Sequence, residues 1–182
     1  MIHKDETILV TASAKRLGKF IITDLIESGW SIALHYNKSQ KLAEETAEKL
    51  IKVGGKVNLY QADLSKKSDI ENLIDNLEAQ DSIWTGLINN AGYFNYDNCN
   101  DFSFDDLYNH MSINFTAPAI LTKALANYTI KMQKQKKNHK GFVINILDAK
   151  IFGLNPDYYT IHYLSKQCMA LQKCQHFHTR PV

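Results

Sequence analysis

Residues 7–30 read TILVTASAKRLGKFIITDLIESGW. Thr7–Val10 is an apolar run of strand length. Beyond a short turn, Lys15–Ser28 places Leu17, Ile21, Leu25 and Ile26 on one helical face. Gly29 stops that helix as a C-cap glycine does. A strand leading directly into an amphipathic helix is the first half of a βαβ unit, and the rest of the chain repeats it.

Ser31–Tyr36 is a second strand. Gln40–Val53 follows with Leu42, Ala43, Thr46, Ala47, Leu50 and Ile51 in a 3.6-residue stripe, and Gly54-Gly55 breaks it. Lys56–Gln61 is a third strand, and Asp69–Ala79 a third helix with Ile70, Leu73, Ile74 and Leu77 inward. Trp84–Asn89 is a fourth strand. A long helical stretch from Phe104 to Lys137 is interrupted at Pro118. Gly141–Leu147 is the fifth and most apolar strand, and Tyr158–Gln172 the last helix. Strands alternating with helices of this length imply right-handed crossovers and a parallel sheet covered on both faces. The expected class is α/β, a doubly wound parallel sheet.

The 182 residues, 45% hydrophobic, suffice for one domain with a core of its own, over residues 1–175, with 176–182 an irregular tail. Against 21 basic residues stand 19 acidic ones, a net charge of +2. That balance gives no strong field for nucleic acid or an anionic membrane. The lysines of Lys131–Lys140 read as a solvated helix end suited to the C-terminal dipole. No apolar run reaches the roughly 18 residues of a membrane-spanning helix. MIHKDETILV, residues 1–10, lacks the features of a signal peptide. Cys99, Cys168 and Cys174 read as reduced thiols, so a cytoplasmic location is expected. The spacing of Cys168, Cys174, His176 and His178 fits no closed zinc motif, and no metal is expected.

In such a sheet, ligands bind beyond the C-terminal strand ends, and the first strand-to-helix turn takes a phosphate. Here that turn is VTASAKRLGKF, residues 10–20, with Gly18 alone of a three-glycine pattern. An ordinary turn accounts for it equally well. The second strand ends HYNKS, residues 35–39, with no carboxylate for a ribose 2′-hydroxyl. Lys38, joined by Ser39 and Arg16, suits a 2′-phosphate, hence NADP(H) rather than NAD(H). The alternative is a solvated loop lysine. The third strand ends QADLS, which brings Asp63 to the same edge.

After the fourth strand comes NNAG, Asn89–Gly92. With VTASAKRLG, HYNKS, ADLS and NFTAP (Asn114–Pro118), in that order, the chain resembles the short-chain dehydrogenase/reductase family, and among its members the pteridine reductases. The likeness runs to about Leu171 and implies a Rossmann fold. It further implies that Arg16, Leu17, Gly18, His35, Asn37, Lys38 and Ser39 meet the adenosine and phosphate end of the cofactor. Asp63 and Leu64 would lie against adenine, and Asn90, Ala91 and Gly92 would bring backbone to the ribose. Phe94 falls where a phenylalanine stacks a pterin. The family's glycines are replaced by Ala12 and Arg16, the second as in pteridine reductases. Asp148 stands in the place of the usual serine, again as in pteridine reductases. Asn114 matches the asparagine that helps place a relay water, and Lys166 the lysine that binds the nicotinamide ribose.

The catalytic tyrosine's place is taken by His162, in YTIHYLSK, residues 159–166. Tyr163 lies about 100° round the helix and points elsewhere. A phenol starts near pKa 10 and needs the lysine's help, whereas imidazole starts near 6.5, and a lysine pushes it lower. A neutral ring still donates from one nitrogen. The likeness thus implies NADPH-dependent reduction of a pterin or small carbonyl compound, by Asp148 with an altered donor. The alternative is a dinucleotide-binding relic with little turnover. A non-enzymatic interaction protein has no positive feature in its favour. The family's later strands do not follow Lys166, so a truncated C-terminus is expected. Family members commonly oligomerise through their fourth and fifth helices, so a homo-oligomer is expected too.

Overall fold

A computed structural model of the chain describes residue 3 and residues 5–97, 100–135, 139–148 and 160–170. Five parallel strands, β1 (Glu6–Val10), β2 (Ser31–Tyr36), β3 (Val57–Gln61), β4 (Ile83–Asn89) and β5 (Phe142–Asn145), form one sheet in the order β3-β2-β1-β4-β5. The helices are α1 (Arg16–Glu27), α2 (Gln40–Lys52), α3 (Lys67–Ala79), α4 (Phe104–Met111), α5 (Ala117–Gln135) and α6 (Thr160–Ala170). The expected doubly wound fold is therefore present.

Strand alternation sorts the core into two layers. Ile8 and Val10 face α1 and α2, with Ile22, Ile26, Ala43, Ala47 and Leu50. Leu9 faces the other way, where Leu73 and Leu77 of α3 and Leu121 and Leu125 of α5 close over Trp84 and Leu87. The Trp84 indole N–H donates to the Gly86 carbonyl at 3.0 Å, so this large buried ring leaves no polar atom unpaired.

Three expectations need correcting. In α1 the buried row is Gly18, Ile22 and Ile26, with Ile21 and Leu25 partly buried beside it, while Leu17 is exposed. In α2, Leu42 and Ile51 flank the buried stripe and stay exposed. The long helix is not interrupted at Pro118, which lies near the start of α5. The irregularity precedes it, as a π-helical turn over Ser112–Thr116. Residues 176–182, with Cys99, Cys174, Tyr159 and the Tyr163 side chain, lie outside what is described.

From β1 the chain winds outward through β2 to β3, then crosses back to place β4 on the other side of β1. The C-terminal ends of β1 and β4 therefore border the switch point, the crevice where ligands bind in open α/β sheets. Among the described residues, no helix is long and apolar enough to cross a membrane.

Candidate active site

The turn after β1 is held by distant groups. The Thr11 hydroxyl is buried and accepts the backbone N–H groups of Asn90 and Ala91, each at 2.9 Å. The Asn90 amide donates to the carbonyls of Thr11 and Ala12. Turn and NNAG segment are thus one unit. Ala12 and Arg16 both have positive φ, 53° and 51°. These are the two places where the resemblance predicts glycine, and a left-handed backbone at a residue with a Cβ explains why. Gly18 lets α1 press on the turn. A Cβ there would lie 2.6 Å from the Ala12 carbonyl oxygen and 2.7 Å from Ser13 Cα.

His35 has a different task from the one the resemblance implied. It is 2% exposed, and both ring nitrogens are engaged. The Ala12 N–H donates to Nδ1 at 3.0 Å, so Nε2 carries the hydrogen and donates to the Ala62 carbonyl at 3.1 Å. The ring is a strut behind the turn. Burial lowers its pKa from 6.5 to about 4, against the opposing pull of the Ala62 carbonyl and Asp63. Leu64 also departs from expectation, since its side chain packs in the core.

Asn37, Lys38, Ser39 and Asp63 come together as expected. With Ala12, Ala14 and Lys15 they line a cleft of about 450 Å³ at the ends of β1, β2 and β3. Arg16 and Leu17 lie exposed on the adjoining first turn of α1. No side chain caps α1, and no acidic residue occupies its first turn, which leaves its amides and partial positive charge for an anion. The Ser39 hydroxyl makes no capping bond to α2 either. Burial raises the Asp63 carboxyl's pKa. Bonds from Ser65, with Lys66 and Asn37, outweigh that and hold it below the usual range.

The second half of the site gathers around Tyr93. Asn114, fully buried on the π-helical turn, accepts the Tyr93 N–H at 2.7 Å and donates to the Tyr93 carbonyl at 2.9 Å. Its other amide hydrogen goes to Ser165 Oγ at 3.0 Å. Both donors of the Asn114 side chain are thus committed to holding the loop and α6. His162 Nδ1 lies 3.3 Å from the same Tyr93 carbonyl, and Nε2 lies 3.3 Å from Asp148 Oδ2. Lys166 is buried one turn further on and donates to the Ile146 carbonyl at 3.3 Å. The half-exposed Phe94 ring meets His162 edge-on at 5.1 Å. Asp148, His162, Lys166 and Phe94 are therefore brought together at the end of β5 and the start of α6.

Burial is the main reason the His162 pKa is lowered. The Tyr93 carbonyl and Asp148 pull it up, and Lys166 adds to the lowering. Burial likewise lowers Lys166, with Asp148 opposing. Gly92 keeps the space between the halves open, because a Cβ there would meet nothing nearer than Lys166 Nζ at 3.6 Å. Thr11, Lys15, Tyr93, His110 and Ser165 went unread in the sequence. Of these, only Lys15, beside Arg16, carried a signal, its charge.

The sequence pattern described as short chain dehydrogenase matches residues 6–164. Glucose 1-dehydrogenase 2 of Bacillus subtilis is 28% identical over 149 residues, which are 80% of this chain and 56% of that protein. The short-chain dehydrogenase/reductase homolog YusS of the same organism is 37% identical over 83 residues, 46% of this chain and 76% of that one. Among solved structures, FolM alternative dihydrofolate reductase 1 from Brucella canis, complexed with NADP, superimposes with a TM-score of 0.82 at 27% identity. It covers 93% of this chain and 66% of its own. The chain thus spans little more than half of the Bacillus dehydrogenase and about two thirds of the Brucella reductase.

Proposed function

This chain belongs to the short-chain dehydrogenase family, and from that premise we propose that it is an NADP(H)-dependent reductase acting on a pterin or a small carbonyl compound. The observation that carries the reading is the cleft in which Lys15, Asn37, Lys38 and Ser39 meet beneath the uncapped start of α1. Two cations, amide donors and no carboxylate at the end of β2 suit a 2′-phosphate, while the α1 amides suit the pyrophosphate. The similar Brucella reductase supports the choice, since its structure is a complex with NADP.

When bound, the reduced nicotinamide would supply hydride. The chain's residues do the rest. Gly92 leaves room for the ribose, and Lys166 stands beside that room to bind its hydroxyls. Phe94 and Tyr96, edge to face at 5.3 Å, offer an apolar wall to a flat substrate. Exposed Phe104 and Tyr108 on α4 and Ile130 on α5 support the expected pairing of copies.

Replacing Lys38 with glutamate is expected to weaken NADPH binding at least tenfold, as loss of a charge-assisted bond about 1.5–3 kcal/mol strong would, and to leave NADH binding nearly unchanged. Titration of nicotinamide fluorescence checks both. Equal affinity of the unaltered chain for NADPH and NADH would sink the cofactor assignment.

His162 favours a second reading, a dinucleotide-binding chain with little turnover. NADPH consumption with a pterin, in the unaltered chain and in His162→Tyr, separates the two. We expect consumption by the unaltered chain. If both variants bind NADPH and neither consumes it, the reductase reading fails.

A further inference from the structure

Asp106, His110 and Asn114 stand four residues apart along α4 and the π-helical turn that continues it. Each holds a point of the loop after β4. Asp106 Oδ1 accepts the side-chain N–H of Asn95 at 3.0 Å. His110 Nε2 accepts the backbone N–H of Asn95 at 3.3 Å. Asn114 binds both polar groups of the Tyr93 backbone. The exposed rings of the same loop, Phe94 and Tyr96, flank Asn95 and meet each other at 5.3 Å and 72°. We propose, resting on the reductase reading for the reaction itself, that His110 is a positioning residue that selects the substrate class. By fixing Asn95 it sets the Phe94–Tyr96 wall for a flat aromatic ring, in preference to a small aliphatic carbonyl compound.

The bonding of His110 is fixed by its partners. A backbone N–H only donates, so Nε2 presents a lone pair to Asn95. Nδ1 then carries the hydrogen and donates to the Asp106 carbonyl at 2.8 Å. The ring is fully buried, and the Tyr93 ring meets it edge-on at 4.8 Å. Both nitrogens are therefore spent on holding the loop. Asn95 passes the restraint on, because its side-chain oxygen accepts the Tyr96 N–H at 3.1 Å. The hold on Asn95 is also separate from the capping of α4. Asp106 caps that helix with Ser103 through Oδ2, which leaves Oδ1 for Asn95.

Restraint of this kind favours one shape of ligand. A flat heteroaromatic ring gains from aromatic neighbours over most of its surface. A small aliphatic carbonyl compound has little surface to lay there. Rings held in place before the ligand arrives need no ordering when it binds. A fixed wall thus strengthens binding of the flat ring and leaves the aliphatic compound nearly as it was. Because His110 acts through the loop, its loss is felt in substrate binding and not in the transfer of hydride.

The test uses the full chain with two probes, pterin as the flat ring and diacetyl as the small aliphatic carbonyl compound. In His110→Leu the dissociation constant of pterin, read by quenching of its fluorescence, is expected to rise about tenfold, the cost of ordering one or two aromatic side chains. KM for pterin rises with it while kcat stays, the mark of lost uniform binding. Both constants for diacetyl stay. His110→Gln, whose amide oxygen can accept the same N–H, is expected to restore pterin binding. Asn95→Ala, at an exposed residue, makes the same selective change and decides the matter alone if His110→Leu does not fold. An unchanged pterin constant, an equal rise for both probes, or a glutamine variant as weak as the leucine one overturns the role of His110. So does an unaltered chain that binds NADPH but not pterin, which leaves the cofactor assignment standing. Failure to bind NADPH, or binding of both without turnover, defeats the reductase reading, while the pterin constants still decide whether His110 sets the wall.

Discussion

Replacing Gly18 with alanine is expected to destabilise the chain by about 3 kcal/mol, near the upper end for overpacking a close contact. At this chain length that corresponds to a fall in Tm of about 10 °C. The new methyl would press on the Ala12 carbonyl and on Ser13 Cα, both backbone, and on the Asn90 amide at 2.7 Å. None of these can swing aside, because Asn90 is bonded to the same turn. Alanine also gains about 1 kcal/mol of helix propensity over glycine, which is too little to offset the clash. Gly54 supplies the control. It has φ +89°, and a Cβ there meets nothing within 4 Å, so Gly54→Ala brings backbone strain of roughly 1 kcal/mol without a clash. Thermal unfolding of the two variants decides the matter, and equal losses would mean that Gly18 is tolerated by relaxation of the turn.

The second large effect is on pH. His35 is neutral in the folded chain, with a pKa of about 4 in place of 6.5. A lowered folded-state value means that protons favour the unfolded chain. The stabilisation is fully present above pH 6.5 and is lost as pH falls toward 4. At about 1.4 kcal/mol per unit, the loss amounts to about 3 kcal/mol. Protonation also removes the acceptor for the Ala12 N–H, so the turn after β1 is where opening begins. In His35→Leu this loss is absent. At pH 7 that variant is weaker by about 1–3 kcal/mol, because the Ala12 N–H and the Ala62 carbonyl are left unpaired. Urea unfolding at pH 7 and pH 4.5 measures both effects. Parallel pH dependence in the two chains would show that the titration belongs to other groups.

Much of the fold was legible because burial on both faces makes strands such as Ser31–Tyr36 nearly continuous apolar runs. The phase of α1 was not. Leu17, Ile21 and Leu25 make one helical row, and Gly18, Ile22 and Ile26 the next, and an apolar count passes over a glycine that is buried for its smallness. The cleft residues Lys38, Ser39 and Asp63 could be placed because strand ends can be found from periodicity, and Asn37 through the resemblance. His35 could not, since a histidine near a strand end resembles a ligand until its partners are known, and these lie 23 and 27 residues away. Thr11 and Ser165 stayed silent for the same reason. Their bonds reach 79 residues to Asn90 and 51 residues to Asn114, and no local pattern announces them.

The Tyr93 carbonyl oxygen receives both Asn114 and His162. In a machinist's terms it is a common datum. Parts dimensioned from one datum keep their spacing when the frame flexes, whereas parts each referred to a separate neighbour accumulate error. The π-helical turn and α6 carry their polar groups on different elements, yet both are gauged from this single backbone atom. A shared reference holds the spacing of Asn114 and His162 without requiring either helix to be rigid.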